Sequence, residues 1–389
     1  MFIFERLVGV ATYASILVFV CLSLAMTKTV KQQRRILFLY TMILALMAYF
    51  YVPPETSDIY RIYRSIEAFQ KYSFNSFLKT FSQNPNFGLG YILYWLVGQT
   101  GIPKLLPVLT ALICYSCIFY IIHASAVKNQ ISGKNIAIAL LFYMTTETFL
   151  SIIGGIRCML GVSLLAFCFY RESVEKRYSV FHLLLYAFSF FIHSFSALLI
   201  ALRFFVPILN AKKSILVRTM HALVLSVGIF FVLQYFGEYV ESVFLRAEGY
   251  LEGNEYSYFW GYIIDVGAWC ALFSVVLQVV RKRKQENILQ YNTLTIFLSL
   301  CLIIAVFFYY EYTIFTRLIL HISPIVCLPI LMSVLQNNDD AKANSGSNTK
   351  KSWFYREVDF NVFFICISLM LLFLSCARGE TSSLKFFVL

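Results

Sequence analysis

The chain consists mainly of long apolar runs separated by short clusters of lysine and arginine. Hydrophobic residues occupy 60% of its 389 positions and charged residues only 13%, whereas soluble domains are about half apolar and a quarter charged. A bilayer core about 30 Å thick is crossed by roughly 20 helical residues, and several runs reach that length. The pattern predicts an all-α polytopic integral membrane protein.

The basic clusters indicate on which side of the membrane each loop lies. Cytoplasmic loops are enriched in Lys and Arg, and six clusters hold 20 of the 32 basic residues. The clusters lie at 28–35, 128–134, 171–177, 212–218, 281–284 and 342–356. Basic loops, rather than a nucleic-acid partner, therefore explain the net charge of +12. If all six are cytoplasmic, an even number of helices must separate consecutive clusters.

This parity requires two helices in each of two apolar runs. Residues 135–170 form a run of 36 residues, too long for one crossing at about 1.5 Å per residue, and Gly154-Gly155 is the predicted outer hairpin. Residues 179–209 are predicted to form two short helices that turn near His193. The remaining helices are predicted at 7–26, 36–52, 103–126, 219–236, 260–280, 290–310, 313–335 and 360–376. The total is about twelve, with both termini outside.

Three other segments complete one integral membrane domain covering 1–389. Residues 53–102 are predicted to form an outer loop, in which FGLGYILYWLVG is apolar but too short to span, so we expect it at the interface or re-entering the membrane. Residues 237–259 are predicted to form an acidic outer loop. Residues 336–359 have the composition of a flexible cytoplasmic linker.

Motifs for soluble cofactor chemistry are missing from the sequence. Its ten cysteines are scattered, most of them within apolar segments, and show no metal-ligand spacing, so we expect free thiols. No P-loop, dinucleotide fingerprint or nucleophile elbow is visible. We therefore predict neither a metal site nor a cofactor.

Four polar residues are predicted to lie at one depth, near the outer headgroups. They are Asp58 after the second helix, Arg157 at the start of the fifth, His193 at the turn between the sixth and seventh, and Arg317 in the eleventh. Ionisable groups at such positions are costly and usually mark a pathway or a site. Arg203 is predicted nearer the cytoplasmic end of its helix, where it could snorkel to the interface.

Each of the four has a structural alternative. Arg157 could pair with Glu147 across the predicted hairpin, and Arg317 could snorkel to the headgroups. His193 could be a hydrogen-bonded helix end, and Asp58 could cap the turn that follows it. The functional interpretation assigns one chemistry to all four. Two guanidinium groups suit a lipid-linked diphosphate, and a carboxylate or an imidazole can take a proton from an attacking hydroxyl. In such a site the arginines would stabilise the leaving diphosphate without a metal ion.

Short motifs carry these residues in a fixed order. They are ETSDIYRIYRSI (55–66), NPNFGLGYILYWLVG (84–98), GGIRCMLGVSLLAFCFY (154–170), FIHSFSALLIAL (191–202) and, more weakly, FTRLILHISPI (315–325). Together they resemble the EpsG/Wzy-like family of bacterial polysaccharide polymerases, with its Asp-x-x-x-Tyr, Glu-Pro-Gly-Phe, Ile-Arg-Gln and Ile-His-x-Ser-Ala elements. The chain has Asn84 where that family has Glu, and Cys158 where it usually has Gln.

The resemblance implies a membrane fold of the GT-C type and an inverting, metal-independent glycosyltransferase. It would join undecaprenyl-diphosphate-linked oligosaccharide units at the outer face of the bacterial cytoplasmic membrane, making O-antigen, capsule or exopolysaccharide. A flippase and a chain-length regulator would be its protein partners. The implied catalytic residues are His193 and Asp58, and the implied substrate-binding residues are Arg157, Arg317, Arg203, Arg61, Tyr60 and Tyr63.

Three other functions stay open at this point. A flippase or transporter of the same lipid-linked sugar predicts polar residues through the full depth of the bilayer. A membrane O-acyltransferase would use His193 as its catalytic residue and would need a route for an acyl donor. A structural partner in a synthase complex would leave Arg157 dispensable.

Overall fold

The computed structural model describes residues 2–55, 57–83, 89–210, 214–235, 259–281, 290–309, 312–344 and 360–377. These residues form helices, and no strand occurs among them, which confirms the all-α prediction. The helices of the first half are α1 (Phe2–Ala25), α2 (Val30–Phe50), α3 (Asp58–Gln70), α4 (Phe74–Gln83), α5 (Leu89–Gly98), α6 (Leu105–Asn129), α7 (Gly133–Thr146), α8 (Phe149–Gly154) and α9 (Ile156–Ser173).

The second half contains one segment with a different helical geometry. Its α-helices are α10 (Val180–Ile192), α11 (Phe195–Leu209), α12 (Ile215–Tyr235), α13 (Phe259–Arg281), α14 (Asn292–Phe307), α15 (Tyr312–Thr316), α16 (Ser323–Asn344) and α17 (Phe360–Ala377). Between α15 and α16, Arg317–Ile322 forms a π-helix, in which each N–H bonds to the carbonyl five residues earlier. We call Arg317–Ile322 the π segment.

Four described helices are long and apolar enough to cross a membrane. They are Val8–Ala25, Leu105–Asn129, Ile263–Arg281 and Thr313–Gln336, judged by length and composition. Shorter apolar helices accompany them, including α5, α10, α11 and α14. Thr313–Gln336 is almost entirely buried, so the π segment and the first part of α16 lie in the interior of the bundle.

The packing order brings distant parts of the chain together. Helix α6 packs against α2, α9 and α16, and α7 packs against α1, α16 and α17. Helix α9 also contacts α10, α11 and the π segment, and the π segment touches α13 and α14. The first turn of α9, the turn between α10 and α11, and the π segment can therefore contribute to one site.

Residues 179–209 form the predicted pair of short helices, α10 and α11, with His193 between them. The predicted Gly-Gly hairpin in 135–170 differs from the structure. Helix α7 ends at Thr146, Glu147 is extended, and α8 intervenes before Gly155. The side chain of Thr148 caps α8 by accepting the N–H of Ser151, so the chain leaves its first helix eight residues before Gly154-Gly155.

The predicted outer loop 53–102 contains the three helices α3, α4 and α5. Helix α5 packs on α3, α6 and α10, and its Gly90, Tyr94, Val97 and Gly98 are buried. Helix α16 continues to Asn344, within the predicted linker 336–359. Residues 84–88, 237–258 and 345–359 lie outside the described residues.

Candidate functional site

Arg157 lies in the first turn of α9, where two other helices approach it closely. Its guanidinium carbon is 5.4 Å from the centroid of the Tyr91 ring on α5. A side chain at Gly90 would occupy the space of the Cγ and Cδ atoms of Arg157, and would also meet the carbonyl oxygen of Ile192. The absence of a side chain at Gly90 thus lets α5 cover the aliphatic stem of Arg157 beside the end of α10.

His193 follows α10 directly and is held by its own turn. The backbone N–H of Phe195 donates to Nδ1 of His193 over 3.2 Å. Burial, together with the charges of Arg317, Arg157 and His321, lowers the pKa of His193 below its usual range. The ring is therefore neutral, and because Nδ1 accepts a hydrogen bond, the proton lies on Nε2. In this state His193 is a hydrogen-bond donor rather than a base.

Arg317 is the first residue of the π segment. Its guanidinium carbon lies 6.0 Å from the centroid of the Phe195 ring. Phe195 therefore contacts both groups: its backbone N–H donates a hydrogen bond to His193, and its ring forms a cation–π contact with Arg317. The charges of Arg157 and Arg317 both contribute to the lowered pKa of His193. We call Arg157, His193 and Arg317 the arginine site.

Neither arginine of this site forms an ion pair with an acidic residue in the described part of the chain. Glu147, the alternative partner considered for Arg157, is fully buried. Its Oε2 atom lies 2.7 Å from Nδ1 of His321. The two guanidinium groups cannot lose their charge, so the arginine site is strongly electropositive.

A second buried carboxylate lies next to the arginine site. Asp265 on α13 is fully buried, and its Oδ2 accepts the hydroxyl of Thr316 over 2.9 Å. Sequence reasoning missed Asp265, although a lone acidic residue in the apolar run GYIIDVGAWCALF was a usable signal. It also missed Tyr91 and the pairing of His321, for which the sequence gives no local signal.

Asp58 and Arg61 are exposed residues of α3. Asp58 is in the first turn of α3, its side chain is 71% exposed, and it forms an ion pair with Arg61. Helix α3 packs against α5, the helix that covers Arg157. Asp58 thus presents a carboxylate that is open to solvent on the neighbouring helix.

The tyrosines of α3 differ in exposure. Tyr60 is half-buried, whereas Tyr63 is buried. The hydroxyls of Tyr63 and Tyr94 have no hydrogen-bond partner among the described residues. Both hydroxyls are buried, so each is a polar group that lacks a hydrogen bond to the described part of the chain inside the packing around α3 and α5.

Arg203 lies apart from the other predicted site residues. On α11 it donates to Oε2 of Glu172, from Nε over 3.1 Å and from Nη2 over 2.5 Å. Tyr186 donates to the same oxygen, and Nδ1 of His182 lies 3.6 Å from the other one. We call Glu172, His182, Tyr186 and Arg203 the Glu172 cluster. Its charges are mutually satisfied.

The arginine site is suited to a polyanion. Guanidinium groups bind phosphate oxygens in a bidentate fork, and the neutral Nε2–H of His193 offers a further donor. Within the described residues, no group of three His, Cys, Asp or Glu side chains is arranged to hold a metal ion.

The model of the EpsG family matches residues 56–346, about three quarters of the chain. The matched range includes Asp58, the arginine site and Asp265. No curated protein and no solved structure matches the chain.

Proposed function

Because the chain belongs to the EpsG family, we propose that it polymerises a polysaccharide by joining lipid-linked oligosaccharide units. In this proposal it is an inverting glycosyltransferase that needs no metal ion. Its substrates carry the undecaprenyl diphosphate anchor, and the product is an O-antigen, a capsule or an exopolysaccharide.

One observation carries the proposal. Arg157 and Arg317 lie in an apolar bundle, each over an aromatic ring, and neither forms an ion pair with an acidic residue in the described part of the chain. An uncompensated charge in such surroundings is costly, so two of them around one histidine indicate an anionic ligand. A diphosphate carries the required charge and presents oxygens to both guanidinium groups.

The reaction assigns a different part to each group. A hydroxyl oxygen of the acceptor sugar attacks the anomeric carbon of the donor, and the bond from that carbon to the diphosphate oxygen breaks. The bonding electron pair leaves with the lipid diphosphate, where Arg157, Arg317 and the Nε2–H of His193 stabilise the charge. The proton of the attacking hydroxyl passes to the carboxylate of Asp58. Since His193 donates at Nε2, Asp58 is the better base of the two.

Three other predicted residues, all on α3, are assigned to the sugars and to the base. Tyr60 and Tyr63 on α3 would contact sugar faces, and Arg61 would orient Asp58. In a twelve-span arrangement of the GT-C type, the arginine site faces outward from the bacterial cytoplasmic membrane. A flippase would deliver the repeat units there, and a chain-length regulator would limit the polymer.

Deletion of the gene tests this function against its alternatives. We expect the deletion strain to display single repeat units on the anchor, visible as one band where the parent gives a ladder on a gel. Loss of all surface units would indicate a transporter. A full ladder that lacks only acyl groups would indicate an O-acyltransferase.

A further inference from the structure

The π segment is fixed at both of its ends by buried carboxylates. At its start, the hydroxyl of Thr316 donates to Asp265 on α13. Near its end, Nδ1 of His321 lies 2.7 Å from Oε2 of Glu147, which lies between α7 and α8. Both carboxylates are fully buried, and Arg317 follows Thr316 directly.

We propose that Asp265 and Glu147 are positioning residues for Arg317, so that the π segment presents its guanidinium group to the diphosphate. The inference rests on the proposed function. The two carboxylates do not contact the substrate. They act through Thr316 and His321, which fix the direction in which the first turn of the π segment points.

The geometry of the π-helix explains why anchors are needed. A π turn contains one residue more than an α turn and is rare outside functional sites. If the segment became α-helical, its extra residue would pass into the next helical turn, and the side chains on the two sides of the segment would rotate relative to each other by about 100°. Arg317 would then leave the ring of Phe195, or His321 would leave Glu147. Contacts at both ends of the segment therefore favour the π-helix over the α-helical alternative.

The energetics favour the same interpretation. A buried carboxylate is unfavourable unless it accepts hydrogen bonds, so Asp265 and Glu147 strongly restrain Thr316 and His321. These carboxylates are bonded to the π segment and form no ion pair with Arg157 or Arg317. One arrangement therefore holds Arg317 in place and leaves its charge available.

The test measures binding of undecaprenyl diphosphate and undecaprenyl monophosphate to the purified full-length protein in nanodiscs. The key variant is Thr316→Val, which removes the hydroxyl and keeps the shape. We expect about tenfold weaker binding of the diphosphate, a smaller loss for the monophosphate, and rescue by Thr316→Ser. The matched control is Thr295→Val, because Thr295 is buried but its hydroxyl donates to the backbone carbonyl of Tyr291 and bonds no carboxylate among the described residues.

A double-mutant cycle shows whether the effect passes through Arg317. In an Arg317→Ala background, Thr316→Val should cause no further loss of diphosphate binding. Additive losses, or equal losses for both lipids, would overturn the positioning role. If Thr316→Val does not fold, His321→Gln tests the other anchor by the same two measurements.

The outcomes separate this inference from the proposed function. If Arg157→Ala and Arg317→Ala both leave diphosphate binding unchanged, the proposed function is wrong, and the positioning role falls with it. If both arginine variants lose binding while Thr316→Val and His321→Gln retain it, only the positioning role is wrong.

Discussion

The two ends of α9 lie beside partly buried arginines in opposite electrostatic situations. Arg157 is in the first turn and Glu172 in the last, about 22 Å apart along the helix axis. At the Glu172 end, Arg203 lies over the rings of Tyr186 and Phe204 and is also bonded to a carboxylate. At the other end, Arg157 and Arg317 have the aromatic support without the carboxylate.

The difference shows that an aromatic ring and a carboxylate have separate effects on an arginine. A ring stabilises a guanidinium group by about 0.5–2 kcal/mol and leaves its N–H donors free. A carboxylate occupies those donors, so the Glu172 cluster is a structural unit. At the arginine site the nearby carboxylates bond Thr316 and His321 instead, and the guanidinium donors stay available for a ligand.

The largest effect is expected from removing an available arginine. Arg157→Ala should lower kcat/KM for polymerisation about 10²- to 10³-fold, because a preorganised donor to the leaving group is lost. Arg157→Lys should also be poorly active, since an ammonium group cannot form the bidentate fork. Repeat units extracted from the deletion strain serve as substrate. If the Arg157→Ala protein is present in the membrane and the cells still make a normal polymer ladder, the assignment of Arg157 to the leaving diphosphate is wrong.

The next effect concerns stability rather than activity. Glu172→Gln should destabilise the protein by about 3–5 kcal/mol, because it leaves Arg203 buried beside a neutral group. The double variant Glu172→Gln with Arg203→Gln should recover much of this loss. Thermal unfolding of the purified protein measures both. Activity per folded molecule should be unchanged. If a variant of Arg203 lowers activity without lowering stability, Arg203 belongs to the substrate site after all.

The sequence predicted most of the long apolar helices and drew attention to Arg157, His193 and Arg317, but it did not predict α3, α4 or α8. Apolar runs and basic clusters predicted α10 and α11 with His193 between them, and the cost of buried charge singled out Arg157 and Arg317. The pairing of His321 with Glu147 could not be predicted, because the two residues are 174 positions apart in the sequence and only packing brings them together. The π segment was equally hidden, since FTRLILHI is as apolar as an ordinary helix.

A smaller effect distinguishes a donor from a base at position 193. His193→Gln places an amide N–H near the position of Nε2–H and should lower kcat/KM about tenfold, whereas His193→Ala, which leaves no donor, should lower it further.

The folded protein holds the pKa of His193 below its usual range. The ring therefore stays neutral as the pH falls through about 6.5, the ordinary pKa of histidine.

The pH profile of the wild-type protein provides the matching measurement. We expect kcat/KM, which reports the free enzyme, to show no titration of His193 between about pH 8 and pH 6. A decline on acidification through about pH 6.5 that disappears in His193→Gln would make His193 the base and remove that role from Asp58.

The smallest effect tests whether the close approach of α5 positions Arg157. Gly90→Ala places a methyl group where the Cγ and Cδ atoms of Arg157 lie, and because that side chain is flexible, it can shift rather than unfold the site. We expect about tenfold weaker binding of undecaprenyl diphosphate, equivalent to ~1.4 kcal/mol, with little change in Tm. Gly98→Ala on the same helix is the matched control, because its methyl group would meet the backbone carbonyl of Ile66 at 2.9 Å. That substitution should lower the Tm and leave the affinity of the folded fraction unchanged. If the two alanines act alike, α5 only packs against the bundle, and the position of Arg157 depends on α9 alone.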